Sequence, residues 1–448
     1  MTLRASARWQ SWTVGRLGAM VVRTPGMSPA AMSPPGQHRL GWWTRAAVQV
    51  GLVTAGLSRQ LGLGAGSIIG GRVTLALDHH ALRRLATGRR VVLVSGTNGK
   101  TTTSHLVAAA VRTAGRVAHN AGGSNMADGA VAALAEARDA EYAVIEVDEL
   151  HLAAIAEAVD PAVMVLLNLT RDQLDRATEV GAIASAVGRA LVRHPRTVVV
   201  ANADDPMVVS AARQAARSVW VAAGATWLGD ATTCPRCGST LLFTDSGWEC
   251  ECGLVRPVPD WWIEDGKACT ADAVLPLDIQ LPGQVNLSNA AMALAAARAL
   301  GVPAAQAASA LHEVDVVAGR YAVVHRGSQE LRLLLAKNPA GWAGMSSMLS
   351  DQRPLLLIIN AREADGRDTS WLWDVPFEQF AGRQVIASGE RAADLGVRLS
   401  YAGLSHQTVT DPIAALESLP AGKIDVVANY TAFHQFRRRL SREREVTG

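Results

Sequence analysis

The turn Gly96-Thr97-Asn98-Gly99-Lys100-Thr101 follows an apolar run, "RRVVLVS", and leads into a helix-forming stretch, "TTSHLVAAAVRTAG". Strand, glycine-bracketed loop and helix in that order make a cradle for phosphate. Glycines let backbone N–H groups approach phosphate oxygens, and the following helix presents its positive end. Lys100 would neutralise the outer phosphates and the Thr101 hydroxyl would ligate Mg²⁺. Gly96, Thr97, Asn98, Gly99, Lys100, Thr101 and Thr102 are therefore the candidate nucleotide-binding loop. The full phosphate-loop pattern has a glycine at position 94, where this chain carries Val94. An ordinary strand–helix turn is the competing reading of the bare pattern.

Two later strand ends bring acids to the same place. "VIEVDE" sets Glu146 and Asp148 at the exit of one strand, and "LLNLTRDQLDR" sets Asn168, Asp172 and Asp175 after another. Carboxylates at neighbouring strand ends beside a phosphate loop are natural Mg²⁺ ligands. Farther on, Cys234, Cys237, Cys250 and Cys252 fall within a short loop, four of the chain's five cysteines. Four thiolates close a tetrahedral Zn²⁺ shell and leave no open position, the signature of a structural site. In a cytoplasmic protein such a cluster points to metal before disulfide. Cys269 reads as a small buried hydrophobe.

These groups need elements to position them. "RRVVLVSG", "EYAVIEVDE", "AVMVLLNL" and "RTVVVANADD" read as short buried strands separated by helical stretches, a parallel α/β sheet with its ligand at the strands' C-terminal ends. The pattern breaks at "CPRCGSTLLFTDSGWECECG" and resumes with the alanine-rich helix "LPGQVNLSNAAMALAAARALG". Beyond residue 320, "RLLLAKNP", "PLLLIINA", "RQVIASG" and "KIDVVANY" predict a second α/β unit. Residues 1–40 read as a disordered basic tail, and 41–84 as helical and then turn-like around "GAGSIIGGR". The expected domains are 41–318, with the cysteine insert at about 230–262, and 319–448.

Composition fits a soluble enzyme, at 49% hydrophobic and 19% charged residues. A net charge of +3 is too small to argue for nucleic acid. No Asp or Glu precedes Asp78, whereas Arg4, Arg8, Arg16, Arg23, Arg39, Arg45, Arg59 and Arg72 do, an asymmetry suited to an anionic membrane surface. No apolar run reaches the roughly 20 residues of a transmembrane helix. Residues 1–40 lack the apolar core and cleavage site of a secretory signal, so a cytoplasmic location is expected.

"GTNGKTT", "VIEVDE", "NLTRDQLDR", "VANADDP", "NLSNAAMALAAA" and "VAGR" occur in the order and spacing of the Mur ligase superfamily, which the chain resembles. Those enzymes use ATP to turn a carboxylate into an acyl phosphate that an amine attacks. The resemblance implies that Lys100 and Thr101 hold phosphate and Mg²⁺ and that Glu146 holds Mg²⁺. It places Asp204 and Asn289 near the adenosine and Arg320 at the phosphates. Asp172-Gln173 stands where the family has Asp-His. Fewer than 100 residues precede the phosphate loop, so the N-terminal domain of classical members is expected to be absent.

The cysteine insert, with "LLAKNPAGW", "ADGRDTSWLWDVPFE" and "NYTAFHQFRRRL", resembles the MurT branch of the superfamily. That resemblance implies an α/β fold with a Mur ligase-type central ATPase domain, a zinc-ribbon insert and a smaller C-terminal domain. It implies amidation of the α-carboxyl of D-glutamate in lipid II, with ammonia from a GatD-like glutaminase, at the inner face of the membrane. It further implies that an aspartate of this chain completes the glutaminase triad, Asp368 favoured over Asp365 and Asp374. The bland alternative is an Asx-rich turn with Trp371 and Trp373 in the core. An amino-acid-adding ligase of the Mur or folylpolyglutamate type is the rival enzyme. A zinc-ribbon nucleic-acid binder is the rival of another class; it fits poorly, since Cys234 to Asp265 holds two arginines against six acids.

Overall fold

The computed structural model describes residues 40–447 apart from 62–65, 173–178, 226, 228, 246, 315–320, 347 and 350–352. The expected tail, Asp175, Gln173 and Arg320 thus lie outside the described residues.

Three helices open the fold: α1 (Trp42–Gln60), α2 (Ser67–Leu77) and α3 (Ala81–Ala86). The first sheet then forms from β1 (Arg90–Ser95), β2 (Val117–His119), β3 (Tyr142–Glu146), β4 (Val163–Leu166), β5 (Val198–Asn202) and β6 (Ser218–Val221). Its order is β2-β3-β1-β4-β5-β6 and every pairing is parallel. Between these strands run α4 (Lys100–Arg112), α5 (Ala127–Glu136), α6 (Leu152–Val159), α7 (Val180–Arg193) and α8 (Pro206–Ala212). Both faces are covered, which is why β1 reads as an unbroken apolar run. Val92 and Val94 pack with α4, while Val91 and Leu93 pack with α5 and α6 on the other face. The strand order changes direction around β1, where ligands of open α/β sheets bind.

After β6 comes the cysteine ribbon with its hairpin β7 (Leu242–Thr244) and β8 (Gly247–Glu249). A small antiparallel sheet follows from β9 (Trp262–Glu264), β10 (Lys267–Cys269) and β11 (Val274–Pro276), burying Cys269 as expected. The helices α9 (Gln284–Ala299) and α10 (Ala304–Ala310) complete this half. In α9 the six alanines between positions 290 and 297 let the helix lie close against β4 and β5.

The second sheet comprises β12 (Tyr321–Arg326), β13 (Gln329–Leu335), β14 (Leu355–Ile358), β15 (Val385–Ser388), β16 (His406–Thr408) and β17 (Gly422–Ala428). Its order is β12-β13-β17-β14-β15-β16, parallel except for the β12–β13 hairpin. The helices α11 (Pro339–Ser346), α12 (Ala392–Tyr401), α13 (Pro412–Glu417) and α14 (Tyr430–Thr447) cover it. Its four expected strands are present as β13, β14, β15 and β17. One early expectation fails: "SIIGGR" is helical, not a turn, because Gly70 and Gly71 sit where backbone from α1 and α5 comes too close for a side chain.

Candidate active site

The phosphate loop is held in shape before anything binds to it. Thr97 N–H donates to Asn168 O (2.9 Å), and Asn98 N–H donates to Asn168 Oδ1 (2.8 Å). Asn168 Nδ2 returns a bond to Asn98 O (3.0 Å), and Thr97 Oγ1 both donates to Thr170 O and accepts from Thr170 N–H, each at 3.0 Å. These bonds staple the β1 exit to the β4 exit. Gly96 and Gly99 have φ of 144° and 83°. A side chain on Gly96 would also meet Leu167 Cβ at 2.9 Å, so both positions demand glycine. The loop ends at Lys100, the first residue of α4, whose N-terminal N–H groups face the same space.

Lys100 is 3% exposed and its Nζ lies 3.0 Å from Glu149 Oε2 and 3.3 Å from Thr97 O. Glu146 and Asp148 both stand at the β3 exit as the sequence places them, but the acid that meets Lys100 is the next residue, Glu149. Asp148 Oδ1 accepts from Leu150 N–H (3.0 Å) in a turn, while Glu149 turns inward to the lysine.

Glu146 is 1% exposed, and its Oε2 has no hydrogen-bond partner. Its backbone is gripped by Asn120, whose Oδ1 accepts from Glu146 N–H (2.8 Å) and whose Nδ2 donates to Glu146 O (2.9 Å). A Cβ placed on Gly123 would stand 3.7 Å from both Glu146 Oε2 and Thr101 Oγ1. An orphaned buried carboxylate oxygen and a threonine hydroxyl across one small gap are a donor set that fits Mg²⁺. Behind it, burial lowers the His119 pKa to about 3, and His105, lowered likewise by burial, stacks edge-on to it at 4.7 Å.

The loop opens into a cleft shared with the second sheet. Asn98, Thr102, Asn168 and Asn289 line one side, and Tyr321, Gly341 and Met345 line the other. Asn289, which the resemblance places near the adenosine, lines this cleft. Asp204 stands just behind the cleft wall: its carboxylate takes Arg256 Nε at 2.6 Å and the N–H of the cleft-lining Gly224 at 2.7 Å, and the acid that lines the cleft itself is Asp205. Asp205 caps α8, accepting from Met207 and Val208 N–H, and also accepts from Leu169 N–H. Burial pushes its carboxyl up to about 6 against those donors.

Asp172 reaches across to the second half, with Lys337 Nζ at 2.7 Å and Asn338 Nδ2 at 3.1 Å. Burial alone would raise its pKa; Lys337, backed by Lys100 and Asn338, outweighs that and lowers it. Arg171 pairs with Asp230 and lies 3.4 Å from Asp374. So "NLTRD" docks on the second half through two ion pairs, and Lys337 and Asn338 are site residues to which the sequence analysis gave no role.

The three candidate triad acids separate. Asp365 is 4% exposed and accepts from Thr431 N–H (2.8 Å), the Thr431 hydroxyl and Arg362 N–H (3.2 Å), binding its loop to the start of α14. Asp374 faces Arg171. Asp368 stands exposed, its pKa lowered by the Ser370 backbone and side-chain hydrogen bonds. Trp371 is buried, but Trp373 is half exposed, against Tyr401 and Arg398, so the alternative that put both in the core holds for Trp371 alone.

The four insert cysteines converge. Cys234 and Cys252 sulfurs are 3.6 Å apart, Cys237 and Cys250 sulfurs 3.4 Å, and all four lie within 4.8 Å of one another. Zn–S bonds of about 2.3 Å in a tetrahedron need sulfur separations of about 3.8 Å, so the set fits Zn²⁺. Arg236 N–H points at Cys234 Sγ (3.4 Å), and Leu241, Trp248 and Leu254 anchor the ribbon on Val209 and Trp220.

The chain matches the Mur ligase middle domain over residues 94–231 and the MurT ligase C-terminal domain over residues 335–433. The chain belongs to the Mur ligase family. It is 29% identical over 416 residues to the lipid II isoglutaminyl synthase (glutamine-hydrolyzing) subunit MurT of Streptococcus pneumoniae, covering 85% of this chain and 93% of that protein. The same-named subunit of Staphylococcus aureus strain N315 is 28% identical over 393 residues, covering 80% and 88%. Among solved structures, the pseudomurein peptide ligase type C of Methanothermus fervidus superposes with a TM-score of 0.64 at 17% identity, over 79% of both chains. MurF of Acinetobacter baumannii gives 0.61 at 16% identity, over 83% of this chain and 80% of that one, and both share the fold. Mur ligase family enzymes are ATP-dependent and use Mg²⁺, in keeping with the cradle at Gly96–Thr102.

Proposed function

We propose that this chain is the synthetase subunit of a lipid II isoglutaminyl synthase. It uses ATP to amidate the α-carboxyl of D-glutamate in the lipid II stem peptide, with ammonia from a GatD-like glutaminase, at the inner face of the cell membrane. The observation that carries the reading is the pairing of the phosphate cradle at Gly96–Thr102 with a MurT-type C-terminal domain docked on it through Lys337–Asp172. The domains are taken as 41–318 and 319–448, following the change of sheet.

A carboxylate resists ammonia because it is anionic and lacks a leaving group. A carboxylate oxygen attacks the γ-phosphorus and ADP departs, giving an acyl phosphate. Ammonia nitrogen then attacks the acyl carbon, the C–O bond to phosphate breaks with its electron pair, and one proton is released. Lys100 and the α4 N-terminus offset charge on the transferred group, and Asn289, on the cleft wall, is proposed to lie near the adenosine. Mg²⁺, held by Thr101 and Glu146, would supply further charge neutralisation when bound. The ribbon cysteines would hold a structural Zn²⁺. Asp368, exposed beside its helical turn, is proposed to accept the ring N–H of the glutaminase histidine and stabilise its imidazolium.

Co-expression with a glutaminase subunit, followed by a glutamine-dependent lipid II amidation assay, tests the reading. The reading fails if the purified complex adds an amino acid to the substrate, or leaves lipid II unchanged with glutamine and with ammonium alike.

A further inference from the structure

The hairpin of α1 and α2 is built with its polarity reversed. The residues α1 buries are Thr44, Ala47, Val48, Gly51, Ala55 and Ser58, nearly all small or polar. Its large apolar side chains point the other way: Trp42 is 73% exposed, Val53 61%, Leu57 53% and Leu61 70%. At 100° per residue Trp42, Val50, Val53 and Leu57 fall on one face. The second helix adds exposed Ile68, Ile69 and Leu77. A helix in water normally hides such residues and shows the small polar ones.

The hairpin holds together without them. A Cβ on Gly51 would lie 2.6 Å from Gly70 O, and one on Gly70 would lie 2.8 Å from Gly51 O, so the helices meet backbone to backbone. Close small-residue seams of this kind serve where the surrounding medium is itself apolar. No described helix is long and apolar enough to cross a membrane, and α1 carries Arg45 and Arg59 near its ends, so it would lie in the interface.

Charge selects the occupant. The first 77 residues contain eight arginines and no acid. Two copies of so acid-free a segment would set like charges against each other, whereas an anionic bilayer complements both the apolar face of the hairpin and the net positive charge of the segment. We infer that the outer face of α1–α2 is an interfacial docking surface for an anionic lipid bilayer. The hairpin is tied to α5 by Arg72–Asp128 (3.0 Å) and Arg59–Glu136 (3.5 Å). α5 begins directly after the loop that holds Glu146, so a docked hairpin would put the catalytic edge of the first sheet beside the lipid surface. This extends the membrane-side placement proposed above, but its test needs no ATP, partner or substrate, so either can fail alone.

The full chain is mixed with phosphatidylglycerol/phosphatidylcholine vesicles, or with phosphatidylcholine vesicles alone, and sedimented. Binding to the anionic vesicles is expected, weakened on the order of tenfold or more in Val53→Gln/Leu57→Gln, a loss of at least about 1.4 kcal/mol. Circular dichroism checks that the variant is folded. If it is not, brominated lipids decide: they should quench wild-type fluorescence, and less so in Trp42→Phe/Trp43→Phe. The inference is overturned by no wild-type binding to anionic vesicles. Undiminished binding by the folded double variant would also overturn it, as would loss of binding only on deletion of residues 1–38. A wild-type dimer that the double variant splits, with vesicle binding unchanged, would assign the face to a second copy.

Discussion

Replacing Lys100 by alanine removes more than a phosphate ligand. Lys100 and Glu149 are 3% and 7% exposed at the side chain and 3.0 Å apart. Deleting one member of a buried pair leaves the other charge uncompensated, at a cost of about 3–5 kcal/mol. A total stability of about 5–15 kcal/mol leaves such a variant folded but visibly weakened. Glu149→Gln should destabilise to a similar extent by stranding the ammonium. Lys100→Met/Glu149→Leu should recover most of the loss, because apolar residues of similar volume replace buried pairs at little cost. Urea unfolding of the four proteins gives the stability lost in each single variant and recovered in the double. A second measurement separates structure from function: saturating ATP at 100 times its Kd stabilises a binding protein by about 2.7 kcal/mol. That increment should be present in wild type and missing from both Lys100 variants, including the stable double. Near wild-type stability in Lys100→Ala, or undiminished ATP stabilisation in the double variant, would refute the reasoning.

Cys234→Ser should lose bound zinc by elemental analysis under reducing conditions and expose the ribbon to proteolysis, and a wild-type protein free of zinc would count against the site. Asp368→Asn should abolish glutamine hydrolysis by the complex while free ammonium still supports ATP-dependent amidation; retention of glutaminase activity, with loss in Asp365→Asn or Asp374→Asn, would move the role to another aspartate. Burial holds His119 near a pKa of about 3, against about 6.5 unfolded, so below pH 6.5 the unfolded chain takes a proton the folded one refuses. The stability this group contributes is complete above pH 6.5 and is lost as pH falls toward 3, by about 1.4 kcal/mol per unit. His119→Gln should therefore lose less stability than wild type between pH 6.5 and 5 in denaturant titrations, and equal losses would show that the imidazole already binds its proton when folded.

Local, contiguous chemistry was legible in the sequence. Gly96 to Thr102 run without a break from one loop into the first turn of α4, and the four cysteines lie within one ribbon, so spacing alone brought them together. The strands around them carry unbroken apolar runs because both sheet faces are covered, and short edge strands such as β2 and β16 lacked that signal. Partnerships made only by folding were not legible. Nothing in "EVDELH" says that Glu149, rather than Asp148, turns inward, since that depends on where the chain bends after β3. Lys337 and Asp172 are far apart in sequence and meet only when the second sheet docks. Asp204 and Asp205 differ by one position at a strand exit, and the choice between them was made by Arg256, a residue beyond the cysteine ribbon. The hairpin that exposes the apolar face of α1 was hidden because the glycines of α2 read as turn formers rather than as a packing seam.

The most direct test of the account follows one oxygen atom. Lipid II whose D-glutamate α-carboxyl carries heavy oxygen is incubated with the chain, ATP, Mg²⁺ and ammonium, and the products are weighed by mass spectrometry. The account predicts an amide at that carboxyl and one heavy oxygen in inorganic phosphate for each amide formed, because the carboxylate oxygen attacks the γ-phosphorus and leaves with it. Amidated product accompanied by unlabelled phosphate would contradict the acyl phosphate route, and no amide at all under these conditions would contradict the proposed function.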